Sequence, residues 1–322
     1  MQPSVATRPG SARRAGRQPA GSAVAVLLGA AAWGSTGTAA HFAPAAAGAA
    51  SIGAARILLG GGLLLGIALL TAESRRTVRM LLSAGGRTRI SLVLAAAAVG
   101  GYQVCFFAAV RMTGVAIGTV VAIGSAPVFT GMLTRLTGGP RLGLRWMLAT
   151  AAAVAGCTVL VTAGKAAGAN PAGITLALAA GLCYAGYAVT AARLISGGHP
   201  ETAVMGMLFG GAAVLLAPVL AATSPGWVLS GRGLAVVAYL GVITTAVAYL
   251  LYGRGLKKLS APVAVTLGLA EPVVAAILGL VVLGERLTAV GVLGLVLVGL
   301  ALATLVVPLK ITHAEDVPGA PW

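Results

Sequence analysis

The sequence predicts an all-α polytopic membrane protein whose ten transmembrane helices form two five-helix repeats of inverted topology. Three observations predict it: the composition, ten long apolar runs and the distribution of basic residues. Of the 322 residues, 58% are hydrophobic and 9% are charged, whereas soluble domains carry about 25% charged residues. This composition excludes disordered, collagen-like and disulfide-scaffold chains. It also argues against a soluble enzyme, because too few charges remain to cover a water-facing surface.

Ten apolar runs are each about the length that a helix needs to cross the hydrocarbon core of a bilayer, which is about 20 residues. Backbone groups in lipid must be hydrogen-bonded internally, and the runs lack the alternation of a membrane barrel, so each run predicts a helix. The connections are too short for a second soluble domain. The runs are roughly 21–42, 49–71, 91–110, 114–134, 146–163, 171–192, 202–222, 233–252, 260–283 and 288–307.

The basic residues predict the orientation of these helices. The net charge is +16, which in a soluble protein would suggest a nucleic-acid partner. With the N-terminus inside, 17 of the 22 Lys and Arg residues fall in cytoplasmic segments and 5 in outer ones, as the positive-inside rule requires. We therefore predict a plasma (inner) membrane protein with both termini cytoplasmic. Membrane lipids are the expected partners of the basic loops, and nucleic acid is not.

The predicted domain organisation consists of two repeats with polar ends. Residues 1–20 are predicted to form a disordered basic cytoplasmic leader and residues 308–322 a cytoplasmic tail. The alternative for the leader is a cleaved signal, but its apolar run is long for one and nine more runs follow. The two five-helix repeats are predicted at 21–163 and 171–307.

The repeats are visible when the chain is compared with itself at an offset of 145 residues. Ser125–Ala126–Pro127–Val128 then matches Ala270–Glu271–Pro272–Val273. Gly139–Pro140–Arg141–Leu142 similarly matches Gly284–Glu285–Arg286–Leu287. Because each copy holds an odd number of helices, the second copy enters the membrane from the opposite side. Inverted repeats of this kind occur in many secondary transporters, which bind their substrate near the midplane between the repeats.

The motifs within these runs resemble one known family. Trp33–Gly34–Ser35, Arg56, Ala126–Pro127–Val128–Phe129 and the segment from Leu269 to Thr288, with its EP and GE pairs, are similar to ten-helix EamA-type members of the drug/metabolite transporter superfamily. The similarity extends over about residues 21–307. It implies a ten-helix inverted-repeat carrier with a central cavity. It also implies an exporter of small metabolites, amino-acid-like compounds or drugs. One departure is Gly139–Pro140, where the first repeat would otherwise carry a GE pair.

Glu271 is the acidic residue that lies well inside a predicted span, where a charge costs about 2.5–3.5 kcal/mol. Such a carboxyl either contacts a cationic group or titrates during transport, or else it is hydrogen-bonded and fixes helix packing. Pro272 cannot donate a hydrogen bond to Gly268, and Pro127 cannot donate one to Ile123, so both spans are predicted to kink. Two broken helices at equivalent repeat positions indicate the transport centre.

The remaining candidates for the site are polar or aromatic residues within the spans. Arg56 is predicted to extend to the headgroups, or else to contact a gate or an anionic substrate. Glu285 is assigned a structural or gating role at the outer mouth. The predicted cavity residues are Trp33, Gln103, Thr119, Ser125, Tyr184, Tyr187, Thr245 and Tyr249.

The predicted function is secondary transport of a small molecule by alternating access, with a channel-like facilitator or an intramembrane enzyme as alternatives. An enzyme is disfavoured, because the three histidines form no HExxH motif and no nucleophile has a facing His partner. No cofactor or metal site is predicted, since the three cysteines lie inside spans without CxxC spacing. The acidic residue Glu271 permits proton coupling but does not require it. The sequence likewise permits an oligomer but does not require one.

Overall fold

The computed structural model describes residues 18–162, 170–284 and 288–306. Within those ranges every regular element is helical. Nine helical stretches there are long and apolar enough to cross a membrane, and the shorter apolar helix Leu144–Leu160 brings the set to ten. This confirms the predicted all-α polytopic fold.

The spans follow one another with short connections. Span 1 contains α1 and α2, span 8 contains α10 and α11, and span 9 contains α12 and α13. The bounds are α1 Gln18–Gly34, α2 Thr36–His41, α3 Ala49–Leu70, α4 Ala72–Ser83, α5 Gly86–Thr113, α6 Val115–Leu136, α7 Leu144–Thr162, α8 Pro171–Ser196, α9 Glu201–Ala222, α10 Gly231–Gly241, α11 Ala248–Leu256, α12 Ala261–Leu267, α13 Ala270–Val282 and α14 Ala289–Val306.

Three local features go beyond the apolar runs. The first is α4, an extra helix whose Arg75, Arg76 and Arg79 are exposed while Val78 and Leu81 are buried. This amphipathic pattern is typical of a helix that lies along a membrane surface. The second is a break between α1 and α2 at Ser35, and the third is a π-helical segment, Val242–Val247, that joins α10 to α11. Such segments occur frequently at functional sites.

The main helix contacts join one repeat to the other. The closely packed pairs are α3 with α9, α5 with α8, and α7 with α14. Glycines allow this approach: a Cβ atom on Gly206 would lie 2.8 Å from the Leu64 carbonyl oxygen. A Cβ on Gly294 would lie 2.7 Å from the Gly156 carbonyl oxygen. Close backbone approach over small residues is how membrane helices pack.

The seam between α3 and α9 provides a stability test. A Cβ atom on Gly61 would collide with the backbone of Phe209, whereas a Cβ on Gly62 meets nothing within 4 Å. We expect Gly61→Ala to destabilise the protein by about 1–3 kcal/mol, the usual cost of overpacking. Gly62→Ala should be neutral or slightly stabilising, because alanine favours a helix. Thermal denaturation in detergent, followed by size-exclusion chromatography, measures both. Equal melting temperatures for the two variants would contradict the packing described.

The two ends of the helix bundle differ in charge. One end, here called the basic face, carries α4 and the loops after α6, α8 and α11. Its basic side chains include Arg193, which donates a hydrogen bond to the Thr137 carbonyl, and Lys257, which pairs with Glu201 at 2.5 Å. The other end carries fewer basic side chains, Arg111 and Arg232 among them, and is here called the non-basic face. It includes the loop between α2 and α3 and Gly114 between α5 and α6.

Candidate functional site

A cavity of about 360 Å³ lies between the two repeats and extends to the non-basic face. Its volume is within the range of small-molecule sites, about 300–1,000 Å³. Spans 1–4 provide one wall, and spans 6, 8 and 9 provide the other. The side chains and backbone that line it belong to Trp33, Gly34, Thr36, Gly37, Ala40, Ala49, Ile52, Arg56, Tyr102, Gln103, Phe106, Phe107, Val110, Thr119, Tyr184, Tyr187, Tyr249, Glu271 and Ala275.

Two opposite charges face this cavity. Arg56 comes from α3 and is 8% exposed, and Glu271 comes from the first turn of α13. Among the described residues, no ion pair within 4 Å joins them. The burial of Arg56 argues against a side chain that extends to the headgroups. Two unpaired charges in a largely apolar cavity leave room for a charged ligand between them.

The position of Glu271 results from a discontinuity in span 9. After α12 ends at Leu267, Leu269 donates to the Thr266 carbonyl at 3.0 Å and Glu271 to the Gly268 carbonyl at 2.9 Å. The chain then continues as α13, with Pro272 in its first turn, where the missing N–H costs nothing. The interruption lies three to four residues before Pro272, close to the predicted kink. Gly34 of span 1 packs against this turn, and a Cβ there would lie 2.7 Å from the Glu271 carbonyl oxygen.

Span 4 differs from this arrangement. The helix α6 runs without interruption through Pro127 from Val115 to Leu136, so a break in the helix like that of span 9 is not seen there. The loss of one backbone hydrogen bond is tolerated inside a packed membrane helix. The two repeats are therefore not equivalent at their proline positions, and the discontinuity belongs to span 9.

Aromatic rings form most of the buried wall beside Glu271. The centroid of Trp33 lies 4.9 Å from that of Tyr249 and 6.5 Å from that of Tyr184. Tyr187 stacks on Tyr184 at 5.2 Å, and its hydroxyl lies 3.3 Å from the Tyr249 hydroxyl. Each of these four side chains is at most 6% exposed. The rings therefore form a fixed, mostly apolar surface with hydroxyl groups at its edge.

Four buried polar atoms in the cavity lining have no hydrogen-bond partner: Trp33 Nε1, Thr36 Oγ1, Arg56 Nε and the Tyr184 hydroxyl. The two nitrogen donors among them lie on Trp33 and Arg56, whose side chains are 5% and 8% exposed. A buried donor without an acceptor costs about 1–3 kcal/mol. Both donors would be satisfied by an acceptor group of a bound molecule, such as a carboxylate.

Several lining residues were missed from the sequence. Phe106, Phe107 and Val110 follow the predicted Gln103 at intervals of three, four and seven residues, which places all four on one face of α5. Their positions relative to Gln103 could therefore have identified them. Tyr102 also lines the cavity and stacks on Phe106 at a centroid distance of 5.5 Å.

The structure brings together most of the predicted site residues but not all. Trp33, Arg56, Gln103, Thr119, Tyr184, Tyr187, Tyr249 and Glu271 line one cavity. Ser125 and Thr245 do not line it: Ser125 Oγ donates to the Ala122 carbonyl, and Thr245 Oγ1 donates to the Leu240 carbonyl beside the π-helical segment. Hydroxyls in membrane helices often bond their own backbone in this way. Glu285 lies outside the described residues.

Both repeats of this fold match one known protein family. The model of the EamA-like transporter family matches residues 21–162 and 171–307, one match for each repeat. The chain belongs to the EamA-like transporter family. This EamA-like chain is thus a multi-pass membrane protein and a transporter, and its family implies a small-molecule substrate.

Individual proteins related to this EamA-like transporter carry transporter names. The uncharacterized transporter YwfM of Bacillus subtilis is 37% identical over 86% of this chain and 90% of its own length. The threonine/homoserine exporter RhtA of Salmonella typhimurium is 35% identical over 38% of this chain and 41% of its own. The uncharacterized inner membrane transporter YedA of Escherichia coli is 29% identical over 78% of this chain and 79% of its own length. All three relatives are named as transporters or exporters.

A solved crystal structure has the same fold. It superposes with a TM-score of 0.72 at 20% identity and covers 88% of this chain and 95% of its own. At that identity the likeness concerns the fold alone.

Proposed function

We propose that this chain is a secondary carrier that exports small amino-acid-like metabolites or drug-like compounds by alternating access. The observation that carries the proposal is the cavity between the repeats, in which Glu271 and Arg56 lie without an ion pair between them. The cavity reaches the non-basic face. Towards the basic face, side chains such as Tyr252, Val265 and Leu267 are fully or almost fully buried and separate it from that side. This is the arrangement expected of a carrier open on one side of the membrane.

The orientation follows from charge. We assign the basic face to the cytoplasm, because Lys and Arg accumulate in cytoplasmic loops, and both termini then lie inside. The described conformation is accordingly open to the outside of the plasma membrane. The exposed arginines of α4 would contact the anionic headgroups of the inner leaflet. On this assignment the two repeats extend over 21–163 and 171–307, between a leader and a tail that are both cytoplasmic.

The charges suggest a substrate with a cationic and an anionic end. Glu271 would bind an ammonium group, and Arg56 with Trp33 Nε1 would bind a carboxylate. The aromatic wall would contact the apolar body of the substrate. A relative named as a threonine/homoserine exporter fits such a zwitterion. Glu271 could also take up a proton during the cycle, which would couple export to the proton gradient. The cavity forms without such proton uptake and without an oligomer.

Counterflow in proteoliposomes tests the proposal. Vesicles preloaded with a mixture of unlabelled amino acids should take up labelled amino acid faster than empty vesicles, and the initial rate should saturate with concentration. Empty liposomes and vesicles with a heat-denatured preparation serve as controls. Flux that never saturates and shows a large unitary conductance would indicate a channel instead. Chemical conversion of the substrate without its movement would indicate an enzyme.

A further inference from the structure

A second recess lies on the basic face, on the other side of the buried core from the cavity. This recess, here called the basic-face groove, has a volume of about 470 Å³. It is formed by the end of α6, the end of α8 and the turn between α11 and α12, and therefore by both repeats. Its lining includes Thr137, Ala192, Arg193, Leu256, Ser260 and Ala261.

The barrier between the groove and the cavity is thin. On span 8 the cavity ends at Tyr249 and the groove begins at Leu256, and seven helical residues span about 10 Å. On α8 the cavity lining ends at Tyr187 and the groove lining begins at Val189, two residues or about 3 Å further along the helix. Tyr252 and the residues of α12 fill this distance: Ala264 is 0% and Val265 is 1% exposed. About two helical turns thus separate the two recesses on span 8, and less than one turn separates them on α8.

The helix α12 is the shortest segment of this barrier and has a break at one end. It runs for seven residues, from Ala261 at the groove to Leu267, and the turn at Gly268 and Leu269 separates it from α13. It packs mainly against α6, α1 and α8. Helix ends of this kind absorb the backbone changes of a hinge.

A buried cluster of hydroxyl groups fixes α12 to the other repeat. Thr266 is 0% exposed, and its Oγ1 accepts a hydrogen bond from Trp146 Nε1 at 3.1 Å. It also lies 3.0 Å from Thr150 Oγ1. Trp146 and Thr150 belong to α7 in the first repeat, whereas Thr266 belongs to the second. These contacts hold α12 in place, and they are lost or exchanged if α12 moves.

We propose that α12 is the inner gate of the transport path and that the basic-face groove is its inner mouth. Movement of α12 about Gly268 and Leu269 joins the groove to the cavity, and the contacts of Thr266 with Trp146 and Thr150 keep the gate closed in the outward-open state. The inference rests on the proposed carrier function and adds where the path opens to the cytoplasm.

A disulfide between Thr150→Cys and Thr266→Cys tests the gate, because the two side chains already touch. The three native cysteines are first replaced by alanine. We expect the reduced double variant to transport in the counterflow assay, the oxidised one to stop, and reduction to restore transport. The matched control is Ser74→Cys with Thr202→Cys, a second hydroxyl pair that joins the two repeats, at 2.8 Å. Oxidation of this pair should leave transport intact.

Full transport through a verified 150–266 crosslink would overturn the proposal. Loss of transport with the control crosslink as well would also overturn it, since the repeats would then move as wholes rather than through α12.

A second measurement does not depend on transport. In the cysteine-free background, Ala264→Cys should react slowly with a membrane-impermeant maleimide applied to the basic face. Adding Thr266→Val, which removes both hydroxyl contacts, should speed that labelling. Equal labelling rates would contradict the gate and leave the carrier function untouched, whereas failure of the counterflow assay with the unmodified protein would contradict the carrier function itself.

Discussion

Replacing Glu271 by glutamine is expected to abolish most transport while leaving the protein folded. The substitution keeps the size of the side chain and removes the negative charge from the cavity. A hydrogen bond to a charged group contributes about 1.5–3 kcal/mol, so substrate affinity should fall by about ten- to a hundred-fold. Glutamine cannot take up or release a proton, and any residual transport should therefore not depend on pH. Initial rates of counterflow at several pH values measure both effects.

The matched control is Glu73→Gln. Glu73 lies in α4 and is exposed on the basic face, so the same chemical change there should leave rates and pH dependence unaltered. Wild-type rates and pH dependence in correctly inserted Glu271→Gln protein would mean that Glu271 serves packing alone. A melting temperature for Glu271→Gln measured alongside the rates distinguishes lost transport from lost folding.

Arg56→Gln is expected to have a second large effect, through the anionic end of the substrate. Arg56 is the basic side chain in the cavity lining, and without it the charge of Glu271 has no opposite partner there. Zwitterionic substrates should bind about ten- to a hundred-fold more weakly. Arg56→Lys should recover part of the affinity, because lysine restores the charge but not the planar donor geometry. Competition of labelled substrate by an amino acid and by its amide measures which end is affected.

Arg111→Gln is the control for this variant, because Arg111 is exposed at the end of α5 and does not line the cavity. Arg56→Gln should weaken binding of the amino acid and spare the amide, which has no carboxylate. If both ligands lose affinity equally, Arg56 does not recognise the carboxylate. The double variant Arg56→Gln with Glu271→Gln should show less than the sum of the two single effects if one substrate bridges both charges.

Hydropathy and charge were sufficient to predict the spans, because lipid imposes length and apolarity on each helix. They could not predict α4, whose three arginines lower its hydropathy although its buried face docks on the bundle. Nor could they predict the π-helical segment in span 8, since the sequence there is as apolar as an ordinary helix. The asymmetry between the helix through Pro127 and the break before Pro272 also depends on local packing, which a shared proline does not encode.

The candidate site was partly predictable for a related reason. Glu271 and Arg56 could be found because charges are rare in spans. The aromatic residues could be found because a membrane cavity needs polar groups, and tyrosine and tryptophan carry one at the edge of the ring. What the sequence could not provide was which face of each helix turns inward. Ser125 and Thr245 have suitable chemistry but bond to their own helices, while Phe106 and Phe107 line the cavity without any polar atom.

The charged groups and most of the uncharged surface of the cavity come from different helices, so such a carrier can change its substrate without changing its charges. The two charged groups lie on α3 and α13, whereas the uncharged surface comes mainly from α1, α2, α5 and α8. Substitutions at positions such as Phe106, Phe107 or Tyr187 can therefore reshape the space for a side group while the electrostatic centre remains as it is. A library of variants substituted only at those wall positions is accordingly a rational route to carriers of new substrates.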